Sequence, residues 1–220
     1  MAINLSSTKT VQTDGIKILC YGQSGAGKTS LIPTLPNPVI LSAEAGLLSI
    51  SGHDIPFIEV KDMVTLREAY AWAKTCEYDT ICLDSISEIA EVCLATEKKA
   101  NKDPRAAYGE MQSTMAELVR AFRDLPHKNV YMTAKLDKST DEMGRVLYAP
   151  SMPGAKAGQA LPYQFDIVTA LRVEKDAEGV TQRALMMDSD GLWMAKDRSG
   201  KLNAWEAPDL GAVIKKIGGA

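Results

Sequence analysis

The stretch "IKILCYGQSGAGKTS" (16–30) constrains this chain more than any other. A short apolar run closes on Gly22, and the spacing Gly22-x-x-x-x-Gly27-Lys28-Thr29 follows at once. The run reads as a buried strand ending in a glycine-rich turn, and a helix is expected directly after it. Further apolar runs, "NPVILSAE" (37–44), "IPFIEV" (55–60), "YDTICLDS" (78–85) and "NVYMTAK" (129–135), read as strands too. Between them, "MVTLREAYAWAKTCE" (63–77), "ISEIAEVCLATEKKA" (86–100) and "YGEMQSTMAELVRAFRDLP" (108–126) carry apolar residues at helical spacing. Strands separated by helices predict an α/β fold, a mostly parallel sheet with helices on its faces.

After Lys135 the texture changes. Residues 136–160, "LDKSTDEMGRVLYAPSMPGAKAGQA", are polar and rich in glycine and proline, and are expected to form a mobile, weakly structured loop. "FDIVTALRVEKDAEGVTQRALMMDSDGLWMAKD" then alternates strand-like runs with the turns Glu178-Gly179 and Asp190-Gly191, predicting antiparallel strands at the C-terminal edge of the sheet. "PDLGAVIKKIGGA" closes the chain as a short helix. The expected organisation is an N-terminal arm, residues 1–14, disordered or oligomerising, followed by one domain, residues 15–220.

Composition removes several classes. With 45% hydrophobic and 24% charged residues the chain reads as soluble and globular. No apolar run reaches the roughly 18 residues of a membrane span, and the start carries no secretory signal. Cys20, Cys76, Cys82 and Cys93 show no paired spacing and read as reduced thiols rather than disulfides or zinc ligands. A net charge of −3 argues against a surface coated in positive charge, yet leaves room for one local basic groove.

The glycine spacing carries chemistry. Gly22, Gln23, Ser24, Gly25, Ala26, Gly27, Lys28, Thr29 and Ser30 form the full P-loop pattern, in which successive backbone N–H groups turn inward on phosphate oxygens. Lys28 is placed to reach the β and γ phosphates of ATP, and the Thr29 hydroxyl to hold Mg²⁺. Asp84 closes the strand "TICLD", where open α/β sheets bind ligands, and fits a role on Mg²⁺ and its waters; capping the following helix is the plainer alternative. Glu44 ends "VILSAE" and is placed as a general base for the water that attacks a γ-phosphate, or is an exposed loop carboxylate.

Together these residues resemble the RecA-like recombinase ATPase core. The resemblance runs over residues 15–175 by motif order, with Glu44 in "LSAEAG", Asp84 and Ser85 in "ICLDS", and then "VYMTAK". It implies that Thr133 and Lys135 sense the γ-phosphate, although Ala134-Lys135 replaces the usual Asn-Gln pair. Small size, "LSAEAGL" and the "KDRSGKL…WE.PDL" tail are similar to the phage-encoded single-domain RecA-core group, whose members include AAA-type ATPases and Sak-type single-strand annealing proteins. That likeness implies an ATPase stimulated by DNA that binds single-stranded DNA and promotes annealing or strand exchange in phage recombination, in the cytoplasm of an infected bacterium. A single-strand DNA-binding protein is a further implied partner.

The same likeness makes Lys138, Arg145, Tyr148 and Lys156 the DNA-binding candidates, cations for phosphates and an aromatic for stacking. Asp137, Asp141 and Glu142 interleave with them, so a plain polar surface loop stays open. RecA-like ATPases work as filaments or rings with nucleotide at the subunit interface. "AKDRSG" resembles their Lys-x-Arg element, in which Lys196 and Arg198 would reach the neighbour's γ-phosphate; two solvated hairpin charges are the alternative. A RecA-type helicase or helicase loader would use the same core. A P-loop small-molecule kinase would need an arginine-bearing lid, for which residues 136–160 offer only Arg145. Nucleotide binding without turnover is the remaining class.

Overall fold

The computed structural model describes residues 7–8, 15–44 and 46–218, and omits the side chains of residues 155 and 156. The arm expected at residues 1–14 lies outside the described residues, apart from Ser7 and Thr8.

Strand β1 (Lys17–Gly22) is buried at every position, and the sheet is built outward from it. Strand β5 (Asn129–Thr140) lies parallel on one side, with Lys17 opposite Val130 and Gly22 opposite Lys135. Strand β7 (Ile167–Lys175) lies parallel on the other, with Ile18 opposite Ile167. Beyond β5 come β4 (Thr80–Asp84), β2 (Pro38–Ser42) and the edge strand β3 (Phe57–Glu59), all parallel. Beyond β7 come β8 (Thr181–Met186) and β10 (Trp205–Glu206), each antiparallel to its neighbour, while the short β9 (Lys196–Asp197) pairs antiparallel with the start of β7. The fold is α/β, mostly parallel, with antiparallel strands at the C-terminal edge, as the sequence predicts.

Helices α1 (Met63–Ala73), α2 (Ile86–Ala100) and α3 (Pro104–Arg123) bury Leu66, Ile89, Met115 and Phe122 against one face of the sheet, over Leu19, Leu41 and Leu83. Each begins on a side-chain cap, Asp62, Ser85 and Asp103 accepting from Thr65, Glu88 and Arg105 N–H groups. The opposite face packs Ile18, Ile40 and Tyr131 against Leu31, Ile32 and helix α5 (Leu210–Gly218). All four cysteines are free; burial pushes the Cys20 thiol up to about 11. Among the described residues no helix is long and apolar enough to cross a membrane.

Two sequence expectations are corrected. The P-loop is followed by a six-residue 3-10 helix, Thr29–Thr34, and not by a full α-helix. Pro33 sits inside it and Pro36 follows, and proline neither donates an N–H nor tolerates a preceding helical turn. The positive helix end expected behind the phosphates is therefore short. Helix α5 covers this segment instead: Leu210 N–H donates to the Thr34 hydroxyl at 2.9 Å.

The second correction concerns residues 136–160. They form no structureless loop, because β5 runs on to Thr140, turns, and returns as β6 (Val146–Pro150) in an antiparallel hairpin. Asp141 shapes the turn, its carboxylate accepting from the N–H groups of Met143 and Arg145 at 2.9 Å. A short helix α4 (Ala155–Ala160) follows.

Candidate active site

The phosphate loop sits at the C-terminal end of β1 and is held from both neighbouring sides. Gly25 and Gly27 have φ of 75° and 104°, a region that side chains disfavour, so this wrap of the backbone requires glycine. The Tyr131 hydroxyl on β5 donates to the Lys28 carbonyl at 2.9 Å. On the β8 side, Arg183 Nε donates to the Ala26 carbonyl at 2.9 Å. Lys28 folds back across the loop, its Nζ donating to the carbonyls of Gly22 and Gln23 at 3.0 Å.

Asp84, at the end of β4, is 2% exposed and faces two hydroxyl donors. Thr29 Oγ1 donates to one carboxylate oxygen at 2.7 Å, and the Thr133 hydroxyl donates to the other. Burial pushes the Asp84 carboxyl above the ordinary range; the hydrogen bonds from Thr133 and Thr29 oppose this, nearby Glu44 adds to it, and Lys28 opposes it. The donor set fits Mg²⁺. Among the described residues no cluster of three His, Cys, Asp or Glu could cage a metal, whereas Mg²⁺ takes one or two protein oxygens and leaves the rest to phosphates and water. Thr29 and Asp84 would supply those two oxygens, brought together from segments 55 residues apart.

Glu44 arrives beside Asp84 because β2 and β4 run in register to their ends, Ser42 opposite Asp84. Ala43 N–H then donates to the Asp84 carbonyl at 3.0 Å, and the Ser42 hydroxyl to the Glu44 carbonyl at 2.6 Å. The Glu44 carboxylate accepts from the hydroxyl of Ser85, the residue that caps α2. Lys28, Glu44, Lys135 and Lys138 line one cleft of about 420 Å³, together with Gly22, Gln23 and Ser24. Its carboxylate and cations can bind a polyphosphate and deprotonate a water.

Of the sensor candidates, Thr133 is fully buried on Asp84, and Lys135 ion-pairs with Glu88 at the cleft wall. Among the DNA candidates, Tyr148 stacks on Trp193 with ring centroids 4.1 Å apart, and Lys138 Nζ lies 5.7 Å from the Tyr148 centroid. Arg145 pairs with Asp141 in the hairpin turn at 2.8 Å. Lys156 falls on α4 with its side chain outside the described residues.

Lys196 and Arg198 do not join the cleft. Arg198 N–H donates to the Asp166 carbonyl, and Asp166 N–H to that of Lys17, at the start of β1. Gly22 is five residues further along, roughly 16 Å at the rise of a strand. The two side chains do converge, as their spacing predicts: Lys196 Nζ donates to the Pro162 carbonyl at 2.6 Å and Arg198 Nη2 to that of Tyr163 at 2.8 Å.

Sequence reasoning missed Tyr131, Arg183 and Trp193. A tyrosine in the middle of the core strand "NVYMTAK" needs a partner for its hydroxyl, and that signal was present. Nothing local marks Arg183, which reaches the loop through strand pairing alone.

The sequence profile of the AAA domain family matches residues 14–199, which spans the phosphate loop, both carboxylates and the Lys196–Arg198 pair. The chain belongs to the AAA domain family. Among solved structures, this AAA domain is similar to a KaiC-like protein from the hyperthermophilic archaeon Pyrococcus horikoshii OT3. The two are 16% identical with a TM-score of 0.46, over 79% of this chain and 78% of the other. No curated protein matches the chain.

Proposed function

We propose that this AAA domain binds and hydrolyses ATP, binds single-stranded DNA, and promotes annealing or strand exchange as a homo-oligomer with nucleotide between subunits. The observation that carries the nucleotide reading is the convergence of Lys28, Thr29, Asp84 and Glu44 on one end of the sheet. Glu44 accepts the proton of the attacking water as its oxygen bonds the γ-phosphorus; the bond to the β-bridging oxygen breaks, and ADP leaves with that electron pair. Ser85 holds the Glu44 carboxylate for this step. Lys28 neutralises charge on the β and γ oxygens. Mg²⁺ bound at Thr29 and Asp84 would add charge neutralisation of the same oxygens.

The DNA reading is supported by a groove of about 800 Å³ between the hairpin, α4 and residues 189–194, with Tyr148, Tyr163 and Trp193 in its wall. Aromatic faces beside cations suit unpaired bases and their phosphates. Strand β5 joins groove to cleft: Thr133, Lys135 and Lys138 belong to it, and its partner residue Tyr148 faces the groove. The recombination role rests on the resemblance carried by Glu44, Asp84 and the late Lys-x-Arg element. Trans completion of the site is favoured because Lys196 and Arg198 lie at the far end from their own phosphate loop.

The test is the ATPase rate with and without single-stranded DNA at low and high salt. Stimulation at low salt that fades at high salt is expected, because phosphate contacts release counterions. ATPase activity indifferent to DNA at both salts would remove the DNA reading and leave the nucleotide reading standing.

A further inference from the structure

Arg183 stands against the phosphate loop from a strand that carries none of the proposed chemistry. Its Nε bonds the Ala26 carbonyl, and its two terminal amino groups have no partner among the described residues. The side chain lies over Gly27, where an added Cβ would come within 3.4 Å of Arg183 Nε and 3.7 Å of its Cδ. Loop and arginine therefore fit one another at the residue just before Lys28.

A planar trans peptide points its carbonyl and its N–H in opposite directions. Arg183 holds the Ala26 carbonyl toward β8, which turns the Gly27 N–H away from β8 and toward the concave side of the loop. The hydrogen bond thus fixes one of the donors on which phosphate binding depends.

Sheet order supplies the second half of the argument. Glu44, Asp84 and Lys135, the groups proposed to serve the γ-phosphate, all lie on the β5 side of β1. Arg183 lies on the β7–β8 side, opposite Val173. A triphosphate with its γ end toward Glu44 must carry its nucleoside end toward Arg183.

We propose that Arg183 is the nucleoside-side positioning residue of this site, locking the loop through Ala26 and offering its free amino groups to the diphosphate portion shared by ADP and ATP. The inference rests on the nucleotide reading above. It assigns Arg183 to binding that is equal in ground and transition states, which raises KM and spares kcat. A charged hydrogen bond of this kind is worth about tenfold or more in affinity.

The test measures Kd for Mg-ADP and Mg-ATP by calorimetry, with KM, kcat and unliganded melting, in the unaltered chain, R183A, R183M and R183K. R183A is expected to weaken both nucleotides by about tenfold with kcat nearly unchanged. R183M keeps the stem over Gly27 and should match R183A, whereas R183K restores charge without the fork and should fall between. If R183A melts early, R183M and R183K carry the comparison. ADP affinity within about twofold of the unaltered chain in R183A and R183M, a loss confined to ATP, or a fall in kcat alone would each overturn the inference. Failure of the unaltered chain to bind either nucleotide would instead remove the nucleotide reading itself, and the inference with it.

Discussion

The two ends of the parallel sheet both present cations tied to backbone carbonyls, and they differ in what stands beside those cations. At the C-terminal end, Lys28 faces the carbonyls of Gly22 and Gln23, with Glu44 in the same cleft and Asp84 bonded to neighbouring Thr29. At the opposite end, Lys196 and Arg198 face the carbonyls of Pro162 and Tyr163, and Asp166 lies 3.7 Å from Arg198. Burial, and then the charge of Arg198, hold the Lys196 ammonium below the ordinary lysine range, with Asp166 pulling the other way. The first end has two carboxylates and their hydroxyl donors assembled. The second has two like charges pressed together on one face, a pair that gains from a strong anion. The ends differ in kind: a carboxylate and three lysines share the first cleft, and two cations seated on backbone carbonyls make the second.

The largest effect is expected of Arg198→Ala. Turnover in the assembled state should fall on the order of 10³-fold, while nucleotide affinity of the unassembled chain stays unchanged. Mixing Arg198→Ala with Lys28→Ala protein should restore part of the rate, because some interfaces then pair an intact loop with an intact Arg198. A mixture as inactive as its components would mean that the far end serves its own carbonyls only. Next in size, Glu44→Gln should slow single-turnover hydrolysis on the order of 10²-fold and leave ATP affinity intact. Equal rates in the two proteins would remove the base role and make Glu44 a partner of Ser85 alone.

The smallest effect concerns Asp84→Asn. Because the folded carboxyl titrates above its unfolded value, the native chain keeps a proton that the unfolded chain has already released. Unliganded stability therefore falls as pH rises through the window above the ordinary aspartate value. Asp84→Asn should abolish that slope and stabilise the unliganded chain above the ordinary aspartate range, read by denaturant melts across pH. An unchanged slope would place the titration elsewhere.

The catalytic end was the more legible of the two ends. Helix α2 begins and ends where its apolar spacing indicates, capped by Ser85 and not by Asp84, and Asp84 stands at the strand end that "TICLD" predicts. These features are local, so sequence carries them. The proline-broken segment after the loop is also legible in "TSLIPTLPNP", where Pro33 and Pro36 rule out a long α-helix. The hairpin was harder to see. The polar run "LDKST" has no period: past Leu136 the β5 residues are exposed, and β6 is anchored by Tyr148 on Trp193, 45 residues further along the chain. Arg183 was invisible, because its position follows from strand register and not from its neighbours in sequence.

The central place of β1 has a kinetic side. Ile16 N–H bonds Asn129, 113 residues on, and Lys17 N–H bonds Asp166, 149 residues on. The strand is made before β5 and β7 and stays without ladder partners until both have followed. Contacts so distant in sequence make folding slow, since chain closure must precede any gain from pairing. The phosphate loop is accordingly made before the strands that hold it and completed only after them, because it also waits for Arg183. A nucleotide that binds only the finished loop acts on that closing step, so the ligand this chain is proposed to consume would also draw its folding to completion.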